Sequence, residues 1–187
     1  MRPFLIAVVL CSGCSLRRGL DTDVCAAPHT LGASLAGVAD GVLVYHFDSV
    51  DERLGTPCAG APEPAACQAE LARLAPTAQR HMRERGPGPL TLLLTRKGVV
   101  TRIDEASTWD DLSTFPPRAR AQAWVELKRR LGVLCGGPNL AETPEGVRVL
   151  VSSHDGCFGG SDTLLLVRPD GAIEELRSRD YPQTCVG

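Results

Sequence analysis

Six cysteines, Cys25, Cys58, Cys67, Cys135, Cys157 and Cys185, are spread along the chain, and two more, Cys11 and Cys14, stand near its start. An even set of six constrains folding before anything else. Each cross-link would remove conformations from the unfolded chain and contribute about 2–4 kcal/mol where the native geometry accepts it. Disulfides persist only in oxidising compartments, so the set also points to export. Zinc fits poorly, because the intervals contain no paired knuckle. The one C-x-x-C, Cys11 to Cys14, lies outside the set, which leaves no thioredoxin-type redox motif within it. Nearness favours Cys58–Cys67, which would close a Pro-rich loop at the start of a helix. Cys25–Cys185 would tie the two ends together, and Cys135–Cys157 would join the region after the second helix to a later loop. The partners within these last two pairs can be exchanged without offending the sequence.

The start of the chain agrees with export. Arg2 precedes an apolar run from Phe4 to Leu10, and the small residues Ser12 and Gly13 follow. This is the layout of a secretory signal, and the run is too short for a mature membrane span, which needs about 20 residues. Cys11-Ser12-Gly13-Cys14 resembles the lipobox of bacterial lipoproteins, with Cys11 where that family usually has Leu. The resemblance implies that residues 1–13 are removed and that Cys14 becomes an acylated first residue, carrying a diacylglyceryl thioether and, in many bacteria, an amide-linked chain. Two or three chains anchor stably where one is marginal. Ser15 resembles the residue found at this place in lipoproteins sorted onward to the outer membrane. The expected organisation is a signal over residues 1–13, a lipidated N-terminus and polar tether over 14–24, and a single domain over 25–187.

Within that domain, periodicity predicts an α+β fold: an antiparallel or mixed sheet of about six strands with two packed helices. Val42 to Phe47 is continuously apolar, which suits a central strand covered on both faces. A polar, Pro-rich loop follows to about Pro64. Cys67, Leu71, Leu74, Ala78 and Met82 then mark one face of a helix from Pro64 to about Arg85, stopped by Gly86-Pro87-Gly88-Pro89. Ala123, Trp124, Leu127 and Leu131 mark a second helix from about Pro116 to Leu131, ended by Gly132. Leu90–Thr95 with Val99–Ile103, and Thr163–Val167 with Ala172–Leu176, read as two hairpins, the second turning at Pro169-Asp170-Gly171. The two resemble each other, as duplicated or chance hairpins would. Val147 to Val151 is a further strand.

Chemistry is harder to find. Twenty basic and 22 acidic residues give a formal charge of −2, which excludes an electrostatically driven nucleic-acid binder. The chain has no G-x-S-x-G elbow and no H-E-x-x-H helix. His29, His46, His81 and His154 are scattered without metal-ligand spacing, and His46, in an apolar strand, reads as a satisfied core histidine. The acidic groups Asp48, Asp51, Glu52 and Asp104, Glu105, Asp110, Asp111 lack a calcium-loop frame. The best local cluster is Ser152, Ser153, His154, Asp155, Ser161 and Asp162, where a histidine beside hydroxyls and carboxylates could act as a general base. Neighbouring residues on a strand point to opposite faces, however, and glycines around Cys157 equally suit a loop bent for a disulfide.

The expectation is a membrane-anchored envelope lipoprotein of non-enzymatic role, binding a protein partner or an assembly, with Cys14 as the lipidation site and no metal, cofactor or nucleic acid. The alternatives are a small envelope hydrolase using the loop around His154, or a small-ligand binding protein with a pocket beneath the helices.

Overall fold

The computed structural model describes residues 16–25, 31, 35, 37–46, 49–76, 89–153 and 159–182. Cys14, Cys157, Cys185, His154 and Asp155 lie outside these. The fold is α+β, with two antiparallel sheets where one was expected. The first contains β1 (Gly41–His46), β2 (Ser49–Gly55), β3 (Leu90–Arg96) and β4 (Val99–Ile103), in the order β2-β1-β3-β4. The second contains β5 (Gly132–Val133), β6 (Leu140–Thr143), β7 (Gly146–Ser152), β8 (Gly160–Val167) and β9 (Ile173–Tyr181). Its order is β5-β7-β8-β9, with β6 also paired to β7. Helix α1 spans Pro64–Leu74 and α2 spans Pro117–Arg129.

Helix α2 decides the architecture because it is buried on two sides. Ala119, Ala123 and Leu127 pack into a core with Val42, Val44, Leu92 and Leu94 of the first sheet. Ala121 and Val125 pack into a second core with Val147, Val149, Val151, Leu165 and Val167 of the second sheet. Alanine has too little side chain to hold a sheet away, so its small surface lets both sheets approach the helix. Each Leu or Val taken fully out of water contributes roughly 1.5–3 kcal/mol before chain entropy is subtracted. A stripe over Ala123, Trp124, Leu127 and Leu131 accounts for one face only. The second face is made of alanine and valine, which a search for large apolar residues passes over.

The outer faces are covered as well. Helix α1 places Leu71 against Leu43, Tyr45 and Leu93 on the far side of the first sheet. Strand β1 is therefore buried on both faces, as its uninterrupted apolar run predicts. Beyond the second sheet, Leu16 and Leu20 pack on Ala141, Leu150 and Leu164. The layers run α1, first sheet, α2, second sheet, then the strap formed by residues 16–20.

That strap differs from the polar tether expected over 14–24. Leu16, Leu20 and Val24 are buried, and Thr22 forms a β-bridge with Leu140. The backbone NH groups of Asp21 and Thr22 both donate to Leu140 O. Leu16, Leu20 and Val24 recur every four residues in a stretch too short and charged to stand out. Strand β2 occupies part of the stretch expected to be a polar loop. It carries Ser49, Asp51, Glu52 and Arg53 and is largely exposed at a sheet edge, where charge discourages pairing with other chains.

Both expected hairpins form, one in each sheet. The first turns through Lys97 and Gly98, both with positive φ, the signature of a tight two-residue turn. Helix α1 gives way at Ala75, before Pro76, so its described part is shorter than the expected run to Arg85; Ala78 and Met82 lie outside the described residues. Helix α2 ends at Arg130, in the left-handed region, ahead of Gly132.

Cys58 is disulfide-bonded to Cys67, as nearness suggested. Cys25 is bonded to Cys135, which corrects both Cys25–Cys185 and Cys135–Cys157. The physical reason is the strap. Its hydrogen bonds with the start of β6 carry Cys25 to the segment between β5 and β6, where Cys135 lies.

Candidate functional site

Among the hollows of the described residues, two place polar groups against buried apolar ones. The first is a cavity of about 140 Å³ under the C-terminal half of α2, lined by His46, Leu90, Gln122, Glu126, Arg130, Leu131, Val133 and the Cys25–Cys135 bridge, among others. Gln122 is 1% exposed and its amide nitrogen donates to Glu126 Oε1 at 3.0 Å. Gln122 Oε1 is buried with no hydrogen-bond partner in the structure. The carboxyl group of Glu126 is pushed up to about 7, because burial disfavours its charged form; the hydrogen bond from Gln122 and the charge of His46 oppose that shift only in part. Near neutral pH, Glu126 is therefore divided between acid and carboxylate.

His46 differs from the core histidine expected of it. It stands at the end of β1, its side chain about a third exposed, with Nδ1 2.7 Å from Asp51 Oδ2. The carboxylate of Asp51 orients the ring. The resulting set of Gln122, Glu126 and His46 offers acceptors and a proton near pH 7, without a hydroxyl or thiol nucleophile. A mainly apolar cavity of this size with a few polar groups on its wall can hold water or a very small ligand.

The second hollow, about 460 Å³, lies at the open end of the β8–β9 hairpin and is lined by Leu16, Arg17, Leu134, Leu150, Asp162, Arg179 and Tyr181. The hydroxyl of Tyr181 donates to Asp162, which holds the phenol in its protonated form and raises its pKa. Arg179 stacks over the Tyr181 ring at 4.9 Å. Arg17 donates to the carbonyls of Cys135 and Pro138, each at 2.9 Å, and so pins the strap beside the hollow.

The loop singled out in the sequence divides at this end of the sheet. Ser153 Oγ and Ser161 Oγ are 2.9 Å apart, and Ser153 Oγ also accepts from the backbone NH of Ser161. These bonds close the end of β8 on the residue after β7. Asp162 is engaged with Tyr181, away from the serine pair. His154 and Asp155 lie outside the described residues. The acidic groups have structural work as well: Asp104 accepts from Arg102 and Ala106 N, and Asp111 from Thr108 N. No group of metal-ligating side chains occurs among the described residues.

Sequence reasoning missed Glu126 and Tyr181. Glu126 sits on a helix whose average composition is polar, and only the position of β1 against α2 makes its setting unusual. The pairing of Tyr181 with Asp162 depends on strand register, in which Gly160 faces Tyr181. Large apolar side chains exposed among the described residues are Val50 and Val99, which belong to opposite edges of the first sheet. No described helix is long and apolar enough to cross a membrane. Comparison with known families, with curated proteins and with solved structures finds no match.

Proposed function

We propose that the mature chain is a lipid-anchored domain of the bacterial cell envelope that acts by binding, with a protein partner or an envelope assembly as its target. Cys14 is the lipidation site, and the outer membrane is favoured over the inner by Ser15. The observation that carries the reading is the pairing of four cysteines behind the signal into two disulfides, Cys25–Cys135 and Cys58–Cys67, which suits an oxidising compartment. The lipobox-like Cys11-Ser12-Gly13-Cys14 supplies the anchor. A partner would engage polar side chains and strand edges, since the exposed valines belong to different edges.

Labelling with radioactive palmitate tests the anchor: the wild type takes up label and Cys14→Ala does not. Absence of label on both overturns the anchored reading. Affinity capture of the lipidated protein from envelope extract tests the partner. Recovery of the bait alone, under crosslinking as well as native conditions, counts against a binding role.

The cavity at Gln122 and Glu126 favours a second reading, a small-ligand binding protein. A buried acceptor without a partner and a carboxyl poised near neutrality suit a compact donor such as a small ammonium ion. Methylammonium titrated against the labelled side-chain amide of Gln122 would move its NMR signals; unmoved signals remove this reading. The hydrolase reading rests on His154 and gains no support from the serine pair at Ser153 and Ser161, whose hydroxyls serve each other.

A further inference from the structure

We infer that the folded domain lies directly on the bilayer, with the open end of the β8–β9 hairpin as its membrane-facing surface; the inference rests on Cys14 being the acylated residue. In the expected organisation, residues 14–24 form a tether that lets the domain stand off. The strap leaves no such slack. Leu16 is 5% exposed and packs on the second sheet with Leu20, Ala141, Leu150 and Leu164. Arg17 is held by two main-chain carbonyls, and Asp21 and Thr22 are hydrogen-bonded to Leu140. Only Ser15 separates Cys14 from Leu16. With successive Cα atoms about 3.8 Å apart, the anchor residue is at most about 7–8 Å from Leu16. Acyl chains buried in the bilayer core therefore bring the surface around Leu16 to the headgroups.

What surrounds Leu16 suits that position. The hollow beside it is lined by Arg17, Arg179 and Tyr181 as well as apolar Leu134 and Leu150, and Arg18 is exposed on the strap. Arginine and tyrosine are the side chains that favour the interface, where an apolar stem and a polar head can both be accommodated. Arginines near an anionic headgroup layer gain Coulomb attraction as well. Asp162, the acid in the hollow, is engaged by the Tyr181 hydroxyl. The opposite end of the hairpin, the turn at Asp170 and Gly171 packed against Trp109, lies about 25 Å further along β8 at roughly 3.3 Å per residue. The surface left for an envelope partner is then the distal one, bearing that turn and the first sheet.

The test uses the lipidated mature protein in vesicles of phosphatidylethanolamine and phosphatidylglycerol, doped with a headgroup-nitroxide lipid that quenches nearby indoles. Mass spectrometry first establishes the acyl group on Cys14. Trp109 and Trp124 serve as distal reporters, and Arg18→Trp adds one beside the anchor. The wild type should keep its emission, whereas the added indole should lose roughly half of its contribution, given an anchor within about 7–8 Å of Leu16. A Gly/Ser spacer of about fifteen residues, with a mean reach of about 20 Å, inserted between Ser15 and Leu16 should restore that emission. An acylated protein whose added indole is unquenched, or quenched no more than Trp109 and Trp124, overturns the flush orientation and leaves the anchor standing. A protein with no acyl group on Cys14 overturns both.

Discussion

The indole nitrogen of Trp124 donates to the carbonyl oxygen of Gly171 at 2.7 Å, tying the central helix to the turn of the β8–β9 hairpin. Trp109 completes the grip. It packs edge-on against Trp124 with ring centroids 5.5 Å apart, and its own indole NH donates to Pro169 O at 2.8 Å. Gly171 has φ +85°, and a Cβ there would stand 2.6 Å from Trp109 Cγ. Gly171→Ala is therefore expected to cost about 2–4 kcal/mol through strain and steric conflict together. A Cβ at Gly132 would meet no atom within 4 Å, and the backbone there has no positive φ, so Gly132→Ala should stay within about 0.5 kcal/mol of wild type. Thermal melts followed by circular dichroism check the pair, and equal melting temperatures would contradict the clamp.

Glu126 gives the fold a pH dependence of defined sign. Its carboxyl titrates near 7 in the folded state against an ordinary value of 4.5. The native state therefore binds more protons than the unfolded chain between these values. The associated stability is fully present below about pH 4.5 and is lost as pH rises through 7, amounting to roughly 3 kcal/mol across the interval. Glu126→Gln can still accept the Gln122 amide hydrogen bond without ionising. Urea denaturation at pH 5, 6, 7 and 8 should show wild-type stability falling relative to the variant over that span. Parallel curves would show that burial does not raise this carboxyl.

Legibility followed the size of the apolar side chains. Strand β1 and both hairpins could be read because Val42 to Tyr45, Leu90 to Leu94 and Thr163 to Val167 form unbroken runs bounded by turn residues. The division into two sheets could not, since it depends on α2 burying alanines on two faces, and alanine patterns are weak in any periodicity. Edge strand β2 was hidden by its charge. The disulfide framework was visible as an even count, and Cys58–Cys67 as a short interval. Cys25–Cys135 required the strap to be seen packed beside β6, and the main-chain bonds in that contact leave little trace in side-chain identity. Glu126 was illegible for the same reason as the cavity around it: both arise where β1, α2 and β5 meet.

Asn139, the only asparagine in the chain, is a hub for the strap. It is fully buried, its Oδ1 accepts from Val24 N at 3.1 Å, and its Nδ2 donates to Asp23 Oδ1 and Leu134 O, each at 3.3 Å. Removing the amide leaves Val24 N and Leu134 O without these partners in an environment poor in water. Asn139→Ala should cost about 2–4 kcal/mol, the penalty for several buried polar groups left unmade together with a small void. Amide hydrogen exchange should quicken at Val24, next to Cys25. Unchanged protection there would mean that the disulfide alone holds the strap in place.

The two described disulfides should differ in worth. Cys25–Cys135 spans 110 residues and Cys58–Cys67 only 9, so loop-closure entropy assigns them about 5 and about 2.5 kcal/mol respectively. Replacing each pair by serines and comparing denaturation midpoints tests the order, and a larger loss from the short loop would reverse the expectation. The same reckoning bears on the remaining two cysteines. With Cys25, Cys58, Cys67 and Cys135 engaged, the expected partner of Cys157 is Cys185; both lie outside the described residues. Peptide mapping of unreduced protein should recover one fragment linking Cys157 to Cys185, and thiol alkylation before reduction should label neither of them. Two reactive thiols per molecule, or a mixed linkage to Cys25 or Cys135, would contradict that pairing.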